Sequence, residues 1–292
     1  MRPVLIPLAE RLGRRALRKR GVRTRWEKTP LGRVHVYDAP GHGTLPTTVL
    51  LHGVGSSATP FGPLLARLRR RVRRVVAPDY PGHGFSPPPV KPMHPDALLE
   101  AMTQVLDETL DEPAVLVGNS LGGGIALHYA SVRPARVRAL VLLSPAGARA
   151  TDEEWHALRK AFDLRTRADA IEFLGRVYHR TPWLARVVAH EVPRSVARRA
   201  VRELLASANN DHAATPEALA GLTMPILLVW GRSERLLPDT HLAYFRAHLP
   251  KHAVVERPEG FGHCPHVDAP EAVARRIVEF VEKETAPRAP TP

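Results

Sequence analysis

Gly118-Asn119-Ser120-Leu121-Gly122 sets one hydroxyl between two glycines, with an apolar run before it and a helical pattern after it. The spacing fits G-x-S-x-G, a strained strand-to-helix turn that pushes a serine hydroxyl out above a sheet for attack on a carbonyl. The glycines permit that turn and the close approach of neighbouring backbone. A serine hydroxyl is a poor nucleophile until a base takes its proton, and the base needs a third group to fix its tautomer and stabilise its positive charge. "EGFGHCPHVDAPE" supplies His263 in a Gly-flanked turn ahead of the helical pattern "PEAVARRIVEFVEK". Glu234, in "RSERLLP" after the run "PILLVWG", is the candidate acid, with Asp239 and Asp152 as substitutes. A solvated Glu234 paired with Arg232 or Arg235 is the competing reading. Attack builds a tetrahedral oxyanion that needs two preorganised N–H donors. Leu121, directly after the serine, and Val54, in "LLHGVGSS", are expected to provide them, with His52 bracing the second loop through hydrogen bonds. Such chemistry needs no metal and no organic cofactor.

Those residues must be held by a sheet. Strand-like runs recur at 33–39, 47–53, 74–80, 114–119, 138–147, 225–231 and 252–260, with helical patterns between most of them. Alternation of this kind predicts an α/β fold with a doubly wound, mostly parallel sheet. From about Ala148 to Leu222 only helical patterns occur, which predicts a helical lid over residues 148–222 inserted above the sheet edge. Trp155, Phe173, Tyr178 and Trp183 supply bulk there and are the candidate substrate contacts. The α/β core is then 31–147 and 223–284, preceded by a basic amphipathic segment (1–30) and followed by a disordered tail (285–292).

Composition narrows the partners. A hydrophobic content of 44% and a charged content of 24% in 292 residues suit a soluble globular chain. Cys264 is the only cysteine, so no intramolecular disulfide forms; beside His263 it is expected to serve packing. Lys plus Arg is 42 against 29 acidic residues, a net +13, and the excess is uneven. Residues 1–26 hold nine basic residues against Glu10 alone, and "RLRRRVRR" covers Arg67 to Arg74. Leu5, Leu8, Leu12 and Ala16 share one helical face, with Arg11, Arg14, Arg15 and Arg18 beside or opposite them. Two readings are open for residues 1–26, peripheral contact with an anionic membrane or docking of the stripe on the protein's own domain. The charge comes without a recognition motif, so nucleic acid is not the expected partner. No apolar run reaches the roughly eighteen residues that cross a bilayer, and "PVLIPLA" is too short for a signal peptide. The expected location is cytoplasmic, with membrane association at most peripheral.

"HGVGSS", "DYPGHGFS", "GNSLGG", "WGRSERLLP" and "GHCPHVDAPE", in that order, resemble the α/β-hydrolase superfamily over about residues 31 to 283. The resemblance implies Ser120 as nucleophile, His263 as base, Glu234 where most members carry aspartate, and Val54 and Leu121 as the oxyanion hole. A serine at position 120, where dehalogenases and epoxide hydrolases of that superfamily carry aspartate, argues against both of those reactions. "SPAG" and "FLGRVYHRTPWL" look similar to bacterial serine esterases and lipases related to monoacylglycerol lipases. The expected activity is hydrolysis of carboxylic esters, acyl chains among them, through an acyl-enzyme on Ser120. The alternatives are a carbon–carbon hydrolase of meta-cleavage products, which usually carries tryptophan where this chain has Cys264, and a ligand-binding protein that keeps the fold with little turnover.

Overall fold

Thr48–Leu51, Ala114–Asn119, Val137–Leu143 and Ile226–Val229 are nearly continuous apolar runs, and they are buried almost throughout. Strands of that composition need helices on both faces. The computed structural model describes residues 3–285 and places these four at the centre of one eight-stranded sheet. In chain order the strands are β1 (Arg23–Thr29), β2 (Gly32–Pro40), β3 (Thr48–Leu51), β4 (Arg74–Pro78), β5 (Ala114–Asn119), β6 (Val137–Leu143), β7 (Ile226–Val229) and β8 (Val254–Glu256). Their spatial order is β1-β2-β4-β3-β5-β6-β7-β8, with β2 antiparallel to both neighbours and β3 to β8 all parallel.

The helices of the core are α1 (Leu5–Lys19), α2 (Gly62–Leu68), α3 (Pro95–Thr109) and α4 (Leu121–Val132). Six more lie between β6 and β7: α5 (Asp152–Phe162), α6 (Arg167–Val177), α7 (Trp183–Val187), α8 (Val192–Val196), α9 (Arg199–Ser207) and α10 (Pro216–Ala220). After β7 come α11 (Asp239–His248), α12 (Pro265–Asp268) and α13 (Pro270–Thr285). Period-two alternation along the strands divides the core in two. Val49, Leu51, Leu116, Leu140 and Leu228 pack with α3, α4 and α11, while Leu50, Val115, Val117, Val141 and Leu227 pack with α2 and α13. The six inserted helices hold a smaller core of their own around Phe162, Leu174, Val192 and Val201. α5 and α6 both open with capping boxes, Thr151 with Glu154 and Thr166 with Asp169, which satisfy helix-start amides.

The structure departs from the sequence expectations in the N-terminal segment. β1 falls inside the segment grouped with the N-terminal helix. Its sequence, RTRWEKT, is too polar to stand out, and it is held at the sheet edge by pairing with β2 alone. The structure also fixes the orientation of α1, for which two readings were open. The helix docks through Ile6, Glu10, Gly13 and Leu17, and a Cβ on Gly13 would lie 2.7 Å from the Thr59 methyl. Leu5, Leu8 and Leu12 of the stripe point outward and are 40%, 48% and 57% exposed, so the stripe is not docked on the protein's own domain. The expected tail, from residue 286 onward, lies outside the described residues. Among the described residues no helix is long and apolar enough to cross a membrane.

Candidate active site

Ser120 leaves β5 and caps α4 with φ 53° and ψ −120°, a left-handed backbone that a non-glycine residue keeps only when its surroundings over-determine it. They do so here. Its N–H donates to the Leu143 carbonyl at 3.1 Å, and its own carbonyl accepts from the amides of Gly123, Gly124 and Ala146 at 2.8, 3.2 and 2.9 Å. The flanking glycines are sterically required, since a Cβ on Gly122 would stand 2.1 Å from the Leu51 carbonyl oxygen and one on Gly118 2.3 Å from that of Gly122.

His263 follows β8, and Glu234 follows β7. The His263 Nδ1 lies 2.8 Å from Glu234 Oε2, with both side chains almost fully buried. The other carboxylate oxygen, Oε1, accepts from the amides of Leu236 and Leu237 at 2.8 and 3.0 Å. Burial alone would raise the Glu234 carboxyl. The His263 charge and hydrogen bond, the Leu237 amide and the nearby Ser144 hydroxyl outweigh it and hold the pKa below the usual glutamate value. An ionised acid on Nδ1 leaves Nε2 of the ring free to accept a proton. The substitutes for Glu234 are engaged elsewhere: Asp239 pairs with Arg257, and Asp152 is an exposed residue at the start of α5. Nor does Glu234 pair with its neighbouring cations. Arg232 bonds Glu259, and Arg235 donates to the Gly175 carbonyl.

Two side chains that the sequence reading left unassigned fasten the histidine loop. Asn119 Nδ2 donates to the carbonyls of Leu143 and His263 at 3.0 and 2.7 Å, tying the loop to the serine turn. Asp268 accepts from the amides of Gly262 and His179 at 2.8 and 3.0 Å, tying the same loop to the inserted helices. Asn119 sits at a free position of the serine motif and Asp268 in a stretch that reads as helix start, so spacing marks neither.

The loop after β3 approaches from the other side, where a Cβ on Gly53 would lie 3.3 Å from that of Ser120. His52 braces it as the sequence suggested. Its Nδ1 lies 2.8 Å from the Gly53 carbonyl, its Nε2 accepts from the Tyr80 amide at 3.2 Å, and its ring stacks on Tyr80 with centroids 3.8 Å apart. Those partners fix the neutral tautomer protonated on Nδ1, and burial lowers the pKa to about 4. Below it, the buried Asp79 carboxylate accepts from the amides of Ala58 and Phe85 at 2.7 and 3.0 Å and bonds His35 Nδ1 at 2.9 Å.

Two cavities meet at Ser120. One, of about 430 Å³, is mainly apolar and runs beneath the inserted helices past Leu121, Ile125, Trp155, Leu158 and Leu204. The other, of about 370 Å³, holds His263, Cys264, Phe173 and Tyr178 and is closed on one side by Ile6, Ala9 and Glu10 of α1. Val54, Ser120, Phe162 and Leu236 line both. Trp183 corrects the expectation for the lid, because it is 71% exposed and lines neither cavity. Its bulk marked it, but bulk does not tell which way a short helix faces. Burial and two nearby carboxylates push the Cys264 thiol well up, so it stays protonated. A depression of about 850 Å³ lies between α2 and α13 among arginines and glutamates and contains no activated nucleophile. His94, Asp96 and His212 bring three potential ligand atoms within 4.8 Å of one another, Asp96 and His212 also lining the apolar cavity, and the serine chemistry uses none of them.

Known proteins agree with this architecture. A pimeloyl-[acyl-carrier protein] methyl ester esterase of Xanthomonas campestris pv. campestris is 33% identical over 267 residues, spanning 84% of this chain and 97% of that one. Among solved structures, a membrane phospholipase A described as a bacterial virulence factor superposes with a TM-score of 0.79 at 25% identity, over 98% of this chain and 93% of that one. Carboxylesterase CesB from Bacillus subtilis superposes with a TM-score of 0.76 at 22% identity, over 95% and 99% of the two chains. The profile of the alpha/beta hydrolase fold matches residues 46–270, from the approach to β3 through the histidine loop. With a match of that extent on a sheet of this order, the chain belongs to the alpha/beta hydrolase fold family.

Proposed function

We propose that the protein hydrolyses carboxylic esters through an acyl-enzyme on Ser120. The observation that carries this reading is the 2.8 Å contact between His263 Nδ1 and the buried Glu234 carboxylate, at a cavity shared with a serine on a strained turn. In the first half-reaction His263 Nε2 takes the Ser120 proton and Oγ attacks the ester carbonyl. The Val54 and Leu121 amides hold the oxyanion, and the imidazolium then protonates the departing alcohol. Water repeats the cycle on the acyl-enzyme, so each turnover consumes one ester and one water and yields one acid and one alcohol. Both cavities fall in the roughly 300–1,000 Å³ range of small-molecule sites. The apolar cavity suits the acyl chain, and the second, with Glu10, Ser57 and Arg198 on its wall, suits the alcohol. The inserted helices then act as the lid, with Trp155 on the acyl side and Phe173 and Tyr178 on the alcohol side. The similarity to an esterase and a phospholipase supports the ester substrate.

Steady-state hydrolysis of p-nitrophenyl esters from acetate to palmitate tests the proposal. Wild type is expected to turn over the series with an optimum set by the apolar cavity, and Ser120→Ala to lose about 10³-fold or more in kcat. Equal rates for the two proteins, or no turnover of any ester, would overturn it.

A further inference from the structure

We propose that the outward face of α1, together with α7, seats the protein on an anionic lipid surface. Seven of the ten large apolar residues exposed among the described residues belong to these two helices or the α1 cap: Val4, Leu5, Leu8, Leu12, Trp183, Leu184 and Val187. The two helices are neighbours in the fold. Glu191, in the turn Ala189–Glu191 that follows α7, accepts from the amides of Val4, Leu5 and Ile6 at 2.8 Å each. Ile6 of α1 and Ala185 of α7 also pack against the same small core. α1 is thus fixed by one face while its leucine stripe is left outside. A docked helix that turns its leucines to water has the makings of an interfacial helix, in which apolar residues enter the acyl boundary and cations meet the headgroups.

Charge selects the occupant. Arg11, Arg15, Arg18 and Lys19 are exposed along the same helix, and among the described residues no carboxylate pairs with them. In the second basic run, by contrast, three arginines have carboxylate partners, Arg71 on Glu282, Arg73 on Glu112 and Arg74 on Asp38. At the α1 C-terminus Arg69 bonds the Arg20 carbonyl, which joins the helix to the second basic run. A second copy of this chain is a poor occupant, because a two-fold pairing would bring the same unpaired cations face to face. A surface of negative headgroups gives every one of them a partner. Since Ile6, Ala9 and Glu10 wall the cavity that holds Ser120, docking sets that wall beside the lipid.

Vesicle co-sedimentation reads this without any turnover. Full-length wild type is expected to pellet with phosphatidylglycerol vesicles, to stay in solution with phosphatidylcholine vesicles, and to be released by high salt. Leu8→Asp/Leu12→Asp should weaken anionic binding at least tenfold and Trp183→Asp/Leu184→Asp at least threefold. Leu8 and Leu12 line neither cavity, so hydrolysis of soluble p-nitrophenyl acetate by the first pair should match wild type and certify its fold. Ser120→Ala should pellet like wild type, so failure of ester hydrolysis and failure of docking are separately visible. Wild type that does not pellet, or pelleting unchanged by either pair, overturns the proposal. Self-association without vesicles that is abolished by Leu8→Asp/Leu12→Asp would also overturn it, assigning the face to a second copy.

Discussion

Glu234 is one methylene longer than an aspartate, and its loop makes room for it. The carboxylate reaches His263 with one oxygen while the other accepts two amides of the following turn, so the extra torsions are pinned at both ends. Glu234→Gln keeps the shape but removes the charge and offers Nδ1 the wrong partner half the time. By analogy with aspartate-to-asparagine changes in triads, kcat should fall by about 10³ to 10⁴. Asp239→Asn and Asp152→Asn should stay within about twofold of wild type on p-nitrophenyl esters. A large loss in either, with Glu234→Gln active, would move the acid elsewhere. The candidate catalytic residues were legible because each belongs to a short pattern beside a strand end. Their supports were not, since Asn119 and Asp268 work through bonds to backbone far away in sequence, and no local spacing encodes a contact across 144 or 89 residues.

Elements were legible in proportion to how fully they are buried. The central strands announce themselves because both faces need apolar side chains, whereas β1 is half solvated and spelled mostly in charged and polar residues. α1 carries a strong amphipathic pattern that left two readings open, and its leucine stripe is the face turned outward. Periodicity reports that two faces differ and is silent on which one the domain takes. Close packing at the serine turn gives this scale its test. On α4, Gly122→Ala drives a Cβ into rigid backbone at 2.1 and 2.4 Å from Leu51, which neither chain can yield without shifting β3. A destabilisation of about 3 kcal/mol is expected in urea titrations. On α6, a Cβ at Gly175 meets nothing within 4 Å, so Gly175→Ala should stabilise by about 0.5–1 kcal/mol through helix propensity. Equal effects from the two substitutions would deny that the serine turn is set by contact with β3.

Across the whole molecule, buried histidines give the fold a characteristic response to pH. His52, His83 and His266 are at most 3% exposed, and burial, the largest cause in each, lowers their pKa values to about 4, 3 and 3. Unfolded, each titrates near about 6.5. Between the folded and unfolded values the unfolded chain binds more protons, so stability rises with pH there and is lost as pH falls below 6.5. Each neutral histidine contributes at most about 1.4 kcal/mol per pH unit, and the three together at most about 4 kcal/mol per unit. Asp79 and Glu234, held below their ordinary values, withdraw their stabilisation only at lower pH, as it falls through their folded values. Glu10 and Asp268, raised by burial, act in the opposite sense, because the folded state then binds more protons, and they offset part of the loss. Unfolding free energy from urea titration should therefore drop by about 2–4 kcal/mol between pH 7 and pH 5.5, before the lowered carboxylates begin to matter. An unchanged free energy over that interval would mean that these rings accept protons in the folded protein. The neutral, doubly bonded His52 that braces the loop beside Ser120 would then not be the state in which the site works.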